Sequence, residues 1–352
     1  MPAANRLQED ILLEIVESNT EMRALARNRE STDTSAVVLL EMVAVDCCLC
    51  GPSDSSPIAS GEDFEYRTSA NEFTVYECLN CESVYLNPRP DASELPRIYP
   101  DSYHAFEFSE SEYGLVYKVR RRLEANRLLS WCAGIPADAK ILDIGCGDGF
   151  HLDLLGEFGK SGWELRGVDI DERAVSICNE KGLDVHHGTL STSGFKPDSF
   201  DFAYTLQTVE HVARPAEFLG EINGLLKPGG ILVVVTDNTG SPDFKLFKKR
   251  YWGGYHFPRH WNLFNKKNIK KLAKIAGFET EIVSTQVSPV NWTYSLRNLL
   301  EDKGYPSWIV ERFSLKSTVS LSMFTAFDTL FRLFGKGALL NVRLVKPAPG
   351  NQ

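Results

Sequence analysis

The chain has 352 residues, 43% of them hydrophobic, with 47 acidic and 38 basic side chains and a formal charge of −9. This is enough apolar content for one main domain with appended parts, and the charge excludes a whole-chain electrostatic footprint for nucleic acid. The N-terminus, MPAANRLQEDILLEIVESN, mixes acids into its apolar residues and lacks the basic, apolar, small-residue order of a secretory signal. A cytoplasmic location with reduced cysteines is therefore expected.

Residues 6–29 carry a helical stripe through Leu7, Ile11, Ile15, Met22 and Leu25, and Ser35–Val45 is rich in β-branched residues and strand-like. Residues 46–90 contain two C-x-x-C pairs, Cys47/Cys50 and Cys78/Cys81, with 27 residues between them. Four thiolates presented in pairs suit a tetrahedral structural Zn2+, and the long gap predicts a hairpin between the two knuckles. Cys48 offers a three-plus-one alternative, whereas Cys132, Cys146 and Cys178 are isolated and read as core. Leu115–Gly134 has a helical pattern stopped by Gly134 and Pro136.

From Lys140 onward strands and helices alternate. Strands are predicted at Lys140–Ile144, Leu165–Ile170, Val185–His187, Phe200–Leu206 and Gly230–Thr236, with helices over His151–Gly159, Glu172–Lys181 and Pro215–Leu226. A helix over Lys266–Ala276 and a strand over Glu279–Gln286 follow, and LLNVRLVKP supplies a last strand after an insertion of about fifty residues. Such alternation argues an α/β, doubly wound, parallel sheet covered on both faces.

The stretch ILDIGCGDGF, at the turn from the first of these strands into the first helix, holds Gly145, Gly147 and Gly149 together with Asp143 and Asp148. Glycines there let the backbone turn sharply and approach a ligand. A dinucleotide fingerprint needs a third glycine where Phe150 stands, and the two acids would repel a pyrophosphate. An acidic rim instead suits a cofactor with an ammonium and a sulfonium. Asp169, at the end of the next strand in GVDID, is placed to accept hydrogen bonds from both ribose hydroxyls.

With LKPGG at Leu226–Gly230 as a third motif, residues from about 138 to 286 resemble the Rossmann-like (class I) S-adenosylmethionine-dependent methyltransferases. The resemblance implies a mostly parallel seven-stranded sheet with an antiparallel last strand. It also implies S-adenosylmethionine held at its methionine end by Asp143, Gly145, Cys146 and Gly147, and at its ribose by Asp169 beside Ile170. Thr189 and Leu190 would border the adenine, and Gln207 would approach the methionine moiety. Similar methyltransferases carry a small zinc-ribbon-like module ahead of the core, followed by a Y-L-N-P-R-P-like run, here Tyr85–Pro90.

Two clusters are candidates for chemistry. Glu210 and His211 follow the fourth strand, where they read either as an acid–base pair or as a helix cap and a packed ring. A quinone-biosynthesis branch has a similar E-H pair that binds a divalent ion together with another glutamate. Gln207 stands at that glutamate's position, so no catalytic metal is expected. RYWGGYHFPRHWNLF, after the fifth strand, resembles a segment of bacterial methyltransferases linked to surface-glycan or secondary-metabolite pathways. Tyr255, His256 and Arg259 are its candidate substrate contacts, and His260 is the first candidate base, with His211 second. The competing reading has the aromatics pinning the loop. A histidine base predicts turnover that rises with pH through a value near a histidine pKa.

The lysines of NKKNIKKLAKIAGF read as a solvated helix face or as an attractor of an anionic substrate or a membrane surface. SLSMFTAFDTLFRLF, Ser320–Phe334, has the apolar content of a helix lying on a membrane, a lid or a dimer contact, while Asp328 and Arg332 exclude a simple span. The resulting layout is an N-terminal helix and strand (1–45), a zinc-binding module (46–90), a linker and covering helix (91–135), the cofactor-binding core (136–286), and an insertion with the last strand (287–352). The leading functional expectation is O- or C-methylation of a small molecule, such as a sugar or nucleotide-linked intermediate. The alternatives are O-methylation of a quinone- or polyketide-like phenol, or a non-catalytic cofactor-binding partner protein.

Overall fold

A computed structural model describes residues 38–100 and 110–348. The helix expected over 6–29 lies outside the described residues, as does the start of the strand expected over Ser35–Val45. Of that run, Met42–Val43 forms β1, paired antiparallel with β5 (Arg89–Pro90). The hairpin between the cysteine knuckles is present as β2 (Ser55–Gly61) and β3 (Phe73–Cys78), and β4 (Val84–Leu86) extends it. A short helix, α1, spans Leu95–Ile98.

The core strands β6 (Lys140–Ile144), β7 (Glu164–Asp169), β8 (Val185–His187), β9 (Phe200–Leu206) and β10 (Leu226–Asp237) are mutually parallel. With β12 (Glu279–Gln286) and β13 (Leu339–Val345) they form a seven-stranded sheet in the order β12-β13-β10-β9-β6-β7-β8, with β13 antiparallel to both neighbours. Side chains alternate between two apolar clusters: Leu142, Ile144, Leu232 and Val234 enter one, and Ile141, Val233 and Val235 the other. A sheet buried on both faces needs such continuous apolar strands. LKPGG, expected as a turn into the fifth strand, lies inside β10, with a register shift between Leu226 and Ile231.

Helices α2 (Glu110–Trp131), α3 (Phe150–Phe158), α4 (Glu172–Glu180) and α5 (Pro215–Leu225) serve as covers and crossovers. After β10 come α6 (Pro242–Phe247) and β11 (Asn262–Leu263), then α7 (Lys266–Ile275), which opens with a reciprocal Asn265–Asn268 capping box. The insertion before β13 is helical: α8 (Pro289–Asp302), α9 (Ser307–Val310) and α10 (Thr318–Leu333).

Two features position the site. Chain order reverses between β6 and β9, so a crevice opens beyond their carboxyl ends. The loop after β10 also returns to the cysteine module, where β11 pairs with β4. Phe73, Val75, Val84 and Leu86 of the module share one core cluster with Trp252, Tyr255, Phe257 and Trp261 of that loop. Module and loop are one packed unit.

Candidate functional site

The cofactor side sits at the β6–α3 turn. A cleft of about 180 Å³ opens there beside Asp143, Gly145, Gly147 and Asp148, with Leu206 and His151 on its far side. Asp143 is buried and its Oδ2 has no hydrogen-bond partner, and burial pushes its carboxyl well above the usual range. An unpartnered buried carboxylate oxygen beside a cleft is costly unless a cationic ligand group meets it. The three glycines play different parts. A Cβ added at Gly147 (φ +54°) would meet nothing within 4 Å, so open space lies over that residue. Added at Gly145 it would fall 2.4 Å from Thr208 Oγ1, and at Gly149 2.3 Å from Leu183 Cδ1. Gly149 thus serves internal packing, while Gly145 borders the cleft with its backbone and packs its missing side chain against Thr208.

Asp169 closes β7 with one oxygen accepting the Gly147 N–H at 2.8 Å and the other the Asp171 N–H at 2.9 Å. Each carboxylate oxygen keeps a further lone pair. Cys146 is buried beside the turn, and Ile170 is exposed. Leu190 is buried and Thr189 caps a short 3-10 turn after β8. Gln207, exposed and in the left-handed region (φ +52°), sends its Nε2 toward Asp237 Oδ2 at 3.4 Å.

The second half of the site lies where the loop after β10 crosses the segment after β9. The N–H groups of Trp261 and Asn262 both donate to the Glu210 carbonyl, at 2.8 and 3.1 Å, and fasten the two together. His211 and His260 rings consequently lie 4.5 Å apart, with His256 5.0 Å from His260. His260 Nδ1 is 2.8 Å from the Gly254 carbonyl and 3.3 Å from Asp237 Oδ2. A carbonyl only accepts, so Nδ1 carries the proton and Nε2 is left as the acceptor. The same holds for His211, whose Nδ1 faces the Arg259 carbonyl at 3.1 Å and the Tyr99 hydroxyl at 2.9 Å. Burial, with the neighbouring His211 and His256, drives His260 well below its usual pKa, and burial lowers His211 to about 4.

Glu210 is fully buried, with Oε2 accepting the Thr236 hydroxyl at 2.7 Å and Oε1 unpartnered. Burial and the adjacent Asp237 push its carboxyl far up. Glu210, His211 and His260 bring one ligand-capable atom each to within 4.8 Å of one another. Burial raises Asp237 to about 7, against an Asn291 Nδ2–H donated to its Oδ1 at 2.5 Å.

Two expected substrate contacts are turned inward. Arg259 is fully buried; its two terminal nitrogens meet the two Asp63 oxygens at 3.2 Å each, and its guanidinium stacks 4.4 Å over Tyr66. Tyr255 is buried and donates its hydroxyl to the Lys248 carbonyl at 2.5 Å. Burial and these bonds favour structural roles for both over the substrate contacts expected from sequence, although Arg259 Nε keeps no partner. His256 pairs with Glu65. Asp237 and Asn291 were missed from sequence. The first had a legible signal, an acid at the carboxyl end of a core strand, and the second had none.

The four cysteines Cys47, Cys50, Cys78 and Cys81 also converge, with all sulfurs within 4.8 Å and Cys47 and Cys81 3.5 Å apart. Each knuckle turns on a backbone bond, Gly51 N–H to Cys47 O at 2.9 Å and Glu82 N–H to Cys78 O at 2.8 Å. Cys48 stands aside, with its sulfur 4.0 Å from the Ser83 hydroxyl. Lys271 Nζ lies 3.1 Å from Cys50 Sγ and Lys267 Nζ 2.6 Å from Glu82, so part of the lysine face covers this cluster.

A family model described as a methyltransferase domain matches residues 116–283. A ubiquinone biosynthesis O-methyltransferase of Roseobacter denitrificans is 37% identical over 172 residues, covering 45% of this chain and 67% of the relative. A protein of Mycolicibacterium smegmatis, named a probable S-adenosylmethionine-dependent methyltransferase, is 30% identical over 168 residues. That match covers 46% of this chain and 59% of the relative, so the chain spans little more than half of that protein's length. Among solved structures, phosphoethanolamine N-methyltransferase 2 of Haemonchus contortus has 18% identity and a TM-score of 0.47, with 83% of this chain and 68% of that chain covered. The chain belongs to the S-adenosylmethionine-dependent methyltransferase family.

Proposed function

We propose that the protein transfers a methyl group from S-adenosylmethionine to a hydroxyl of a small phenolic acceptor, with His260 as general base. One observation carries this reading: buried, neutral His260 is held through Nδ1 by the Gly254 carbonyl, with Asp237 Oδ2 3.3 Å from the same nitrogen, leaving Nε2 as its only acceptor. S-adenosylmethionine supplies an electrophilic methyl on a sulfonium. The chain's own part is to position the acceptor in line and to take its proton.

Asp143, with its unpartnered oxygen, and the open space over Gly147 fit the methionine end of the cofactor, and Asp169 fits the ribose. Asp237 steadies the imidazolium that forms on His260, and Asn291 and Gln207 fix Asp237. A phenol ionises far more readily than a sugar hydroxyl, which suits a base whose pKa burial has lowered. The O-methyltransferase name of the Roseobacter relative supports a phenolic acceptor over the sugar-linked one expected first. Methyl transfer assays with catechol-type phenols and sugar nucleotides in parallel test the choice. Preferential methylation of a sugar nucleotide would overturn it.

A second reading is favoured by the grouping of Glu210, His211 and His260, which together offer ligands to a divalent cation. Turnover lost on chelation and regained with a divalent metal, with the cysteine cluster intact, would select it.

The cysteine cluster fits a structural zinc ion. Tetrahedral bonds of about 2.3 Å put sulfurs about 3.8 Å apart, and the sulfurs here already lie within 4.8 Å. Its place against β11 and α7 gives it the role of bracing the loop that carries His260.

A further inference from the structure

Helix α10 keeps a stripe of largely exposed apolar side chains, of which Phe327 also meets the Trp292 ring edge-on at 5.0 Å. Val319, Met323, Phe327, Leu330 and Phe334 recur at spacings of four, four, three and four, between 42% and 79% exposed. Such spacing puts them on one face, about 22 Å long. The adjoining face is fixed. Phe324 and Phe331 stack on Trp292 of α8, and buried Asp328 accepts the N–H groups of Ser288 and Ala338 at 3.0 and 3.1 Å and the Trp292 indole N–H at 3.2 Å. The helix cannot roll its apolar stripe inward without breaking that hub.

The exposed charges of the insertion that carries the stripe are mostly basic. From residue 302 to 336 the exposed charged side chains are Lys303, Arg312, Lys316, Arg332 and Lys336 against Asp302 and Glu311, a basic excess in a chain whose net charge is −9. We propose that this face lies on an anionic lipid surface, with the stripe in the headgroup–acyl boundary and the basic fringe on the lipid phosphates. A two-fold contact with a second copy would set the same cations against each other, which disfavours that occupant. Among the described residues no helix is long and apolar enough to cross a membrane, as an interfacial helix requires. The helix beneath, α8, supplies Asn291 to Asp237, so docking sets the candidate site two helices from the bilayer. The proposal does not depend on the acceptor's identity.

Co-sedimentation of the full chain with phosphatidylglycerol–phosphatidylcholine vesicles and with pure phosphatidylcholine vesicles tests it. Binding is expected to the anionic vesicles, to fall at least tenfold in Leu330→Glu/Phe334→Glu, and to weaken in high salt. Both substituted positions are exposed, and unchanged S-adenosylmethionine affinity verifies that the variant folds. Absent binding to anionic vesicles, or equal binding by the variant, overturns the proposal. A dimer seen by light scattering that the double variant dissolves also overturns it, by assigning the face to a second copy.

Discussion

Asp237 Oδ2 and His260 Nδ1 lie 3.3 Å apart, joining the end of the fifth core strand to a loop that packs on the cysteine module. The pairing changes the expected pH behaviour. His260 is held well below its usual pKa and His211 at about 4, so both rings are neutral throughout the physiological range. A rising limb of turnover at the ordinary histidine pKa, as the sequence suggests, is therefore not expected. The limb should follow Asp237, whose carboxyl burial raises to about 7, because the ionised acid makes His260 the stronger base. In Asp237→Asn the limb should vanish and turnover should drop about 10²-fold or more. A limb that persists unchanged in this variant would remove Asp237 from the mechanism.

His260→Ala should lower turnover about 10²–10⁴-fold with cofactor affinity nearly unchanged, since the residue contacts the loop and not the glycine turn. His211→Ala is the comparison, read with thermal melts on both variants. A larger loss at His211 with intact stability would move the base to the Glu210–His211 pair.

The α/β alternation and the convergence of the cysteine pairs were legible because each rests on local spacing: alternating apolar runs and repeated C-x-x-C. The roles of Arg259 and Tyr255 were not, because they depend on what returns to the loop from Asp63 in the module and from Lys248. Asp63 is 196 residues from Arg259 in sequence, and spacing within one loop carries no record of such a partner. The helical insertion escaped in part for the same reason, its buried Asp328 reading as a charge that belongs in water.

The glycine turn separates binding from stability. Gly147→Ala places a methyl in open space over the cleft, so cofactor affinity should fall while the fold loses only about 1–2 kcal/mol from its left-handed backbone. Gly149→Ala drives a methyl into Leu183 and Cys178 and should lower the melting temperature further. Calorimetry and melts that ranked the two variants the other way would reverse the roles given to these glycines. Asp169→Ala should weaken S-adenosylmethionine by about 1.5–3 kcal/mol per lost hydrogen bond, and unchanged affinity would refute the ribose assignment.

Freshly purified protein should hold about one zinc per chain by elemental analysis. Cys81→Ser should lose it and loosen the loop carrying His260, whereas Cys48→Ser, outside the four-sulfur cluster, should retain it. Metal-free protein with normal stability would contradict the structural zinc.

The buried ion pair gives the sharpest test of the corrected role of Arg259. Asp63 and Arg259 are both fully buried, with two hydrogen bonds of 3.2 Å between them. Replacing Asp63 by alanine leaves a guanidinium in the interior with the Phe257 carbonyl at 2.8 Å and the faces of the Tyr66 and Tyr99 rings, but no counter-ion among the described residues. Breaking such a pair from one side costs about 3–5 kcal/mol, so Asp63→Ala should unfold at markedly lower denaturant concentration. The double replacement Asp63→Ala/Arg259→Met removes both charges and should recover much of the loss, since no ion is then stranded. A guanidinium that clamped an anionic acceptor would behave otherwise: Arg259→Met alone would raise KM sharply, and the second substitution would restore nothing. Denaturation curves and KM measured on the single and double variants therefore decide between a brace for the catalytic loop and a contact for substrate.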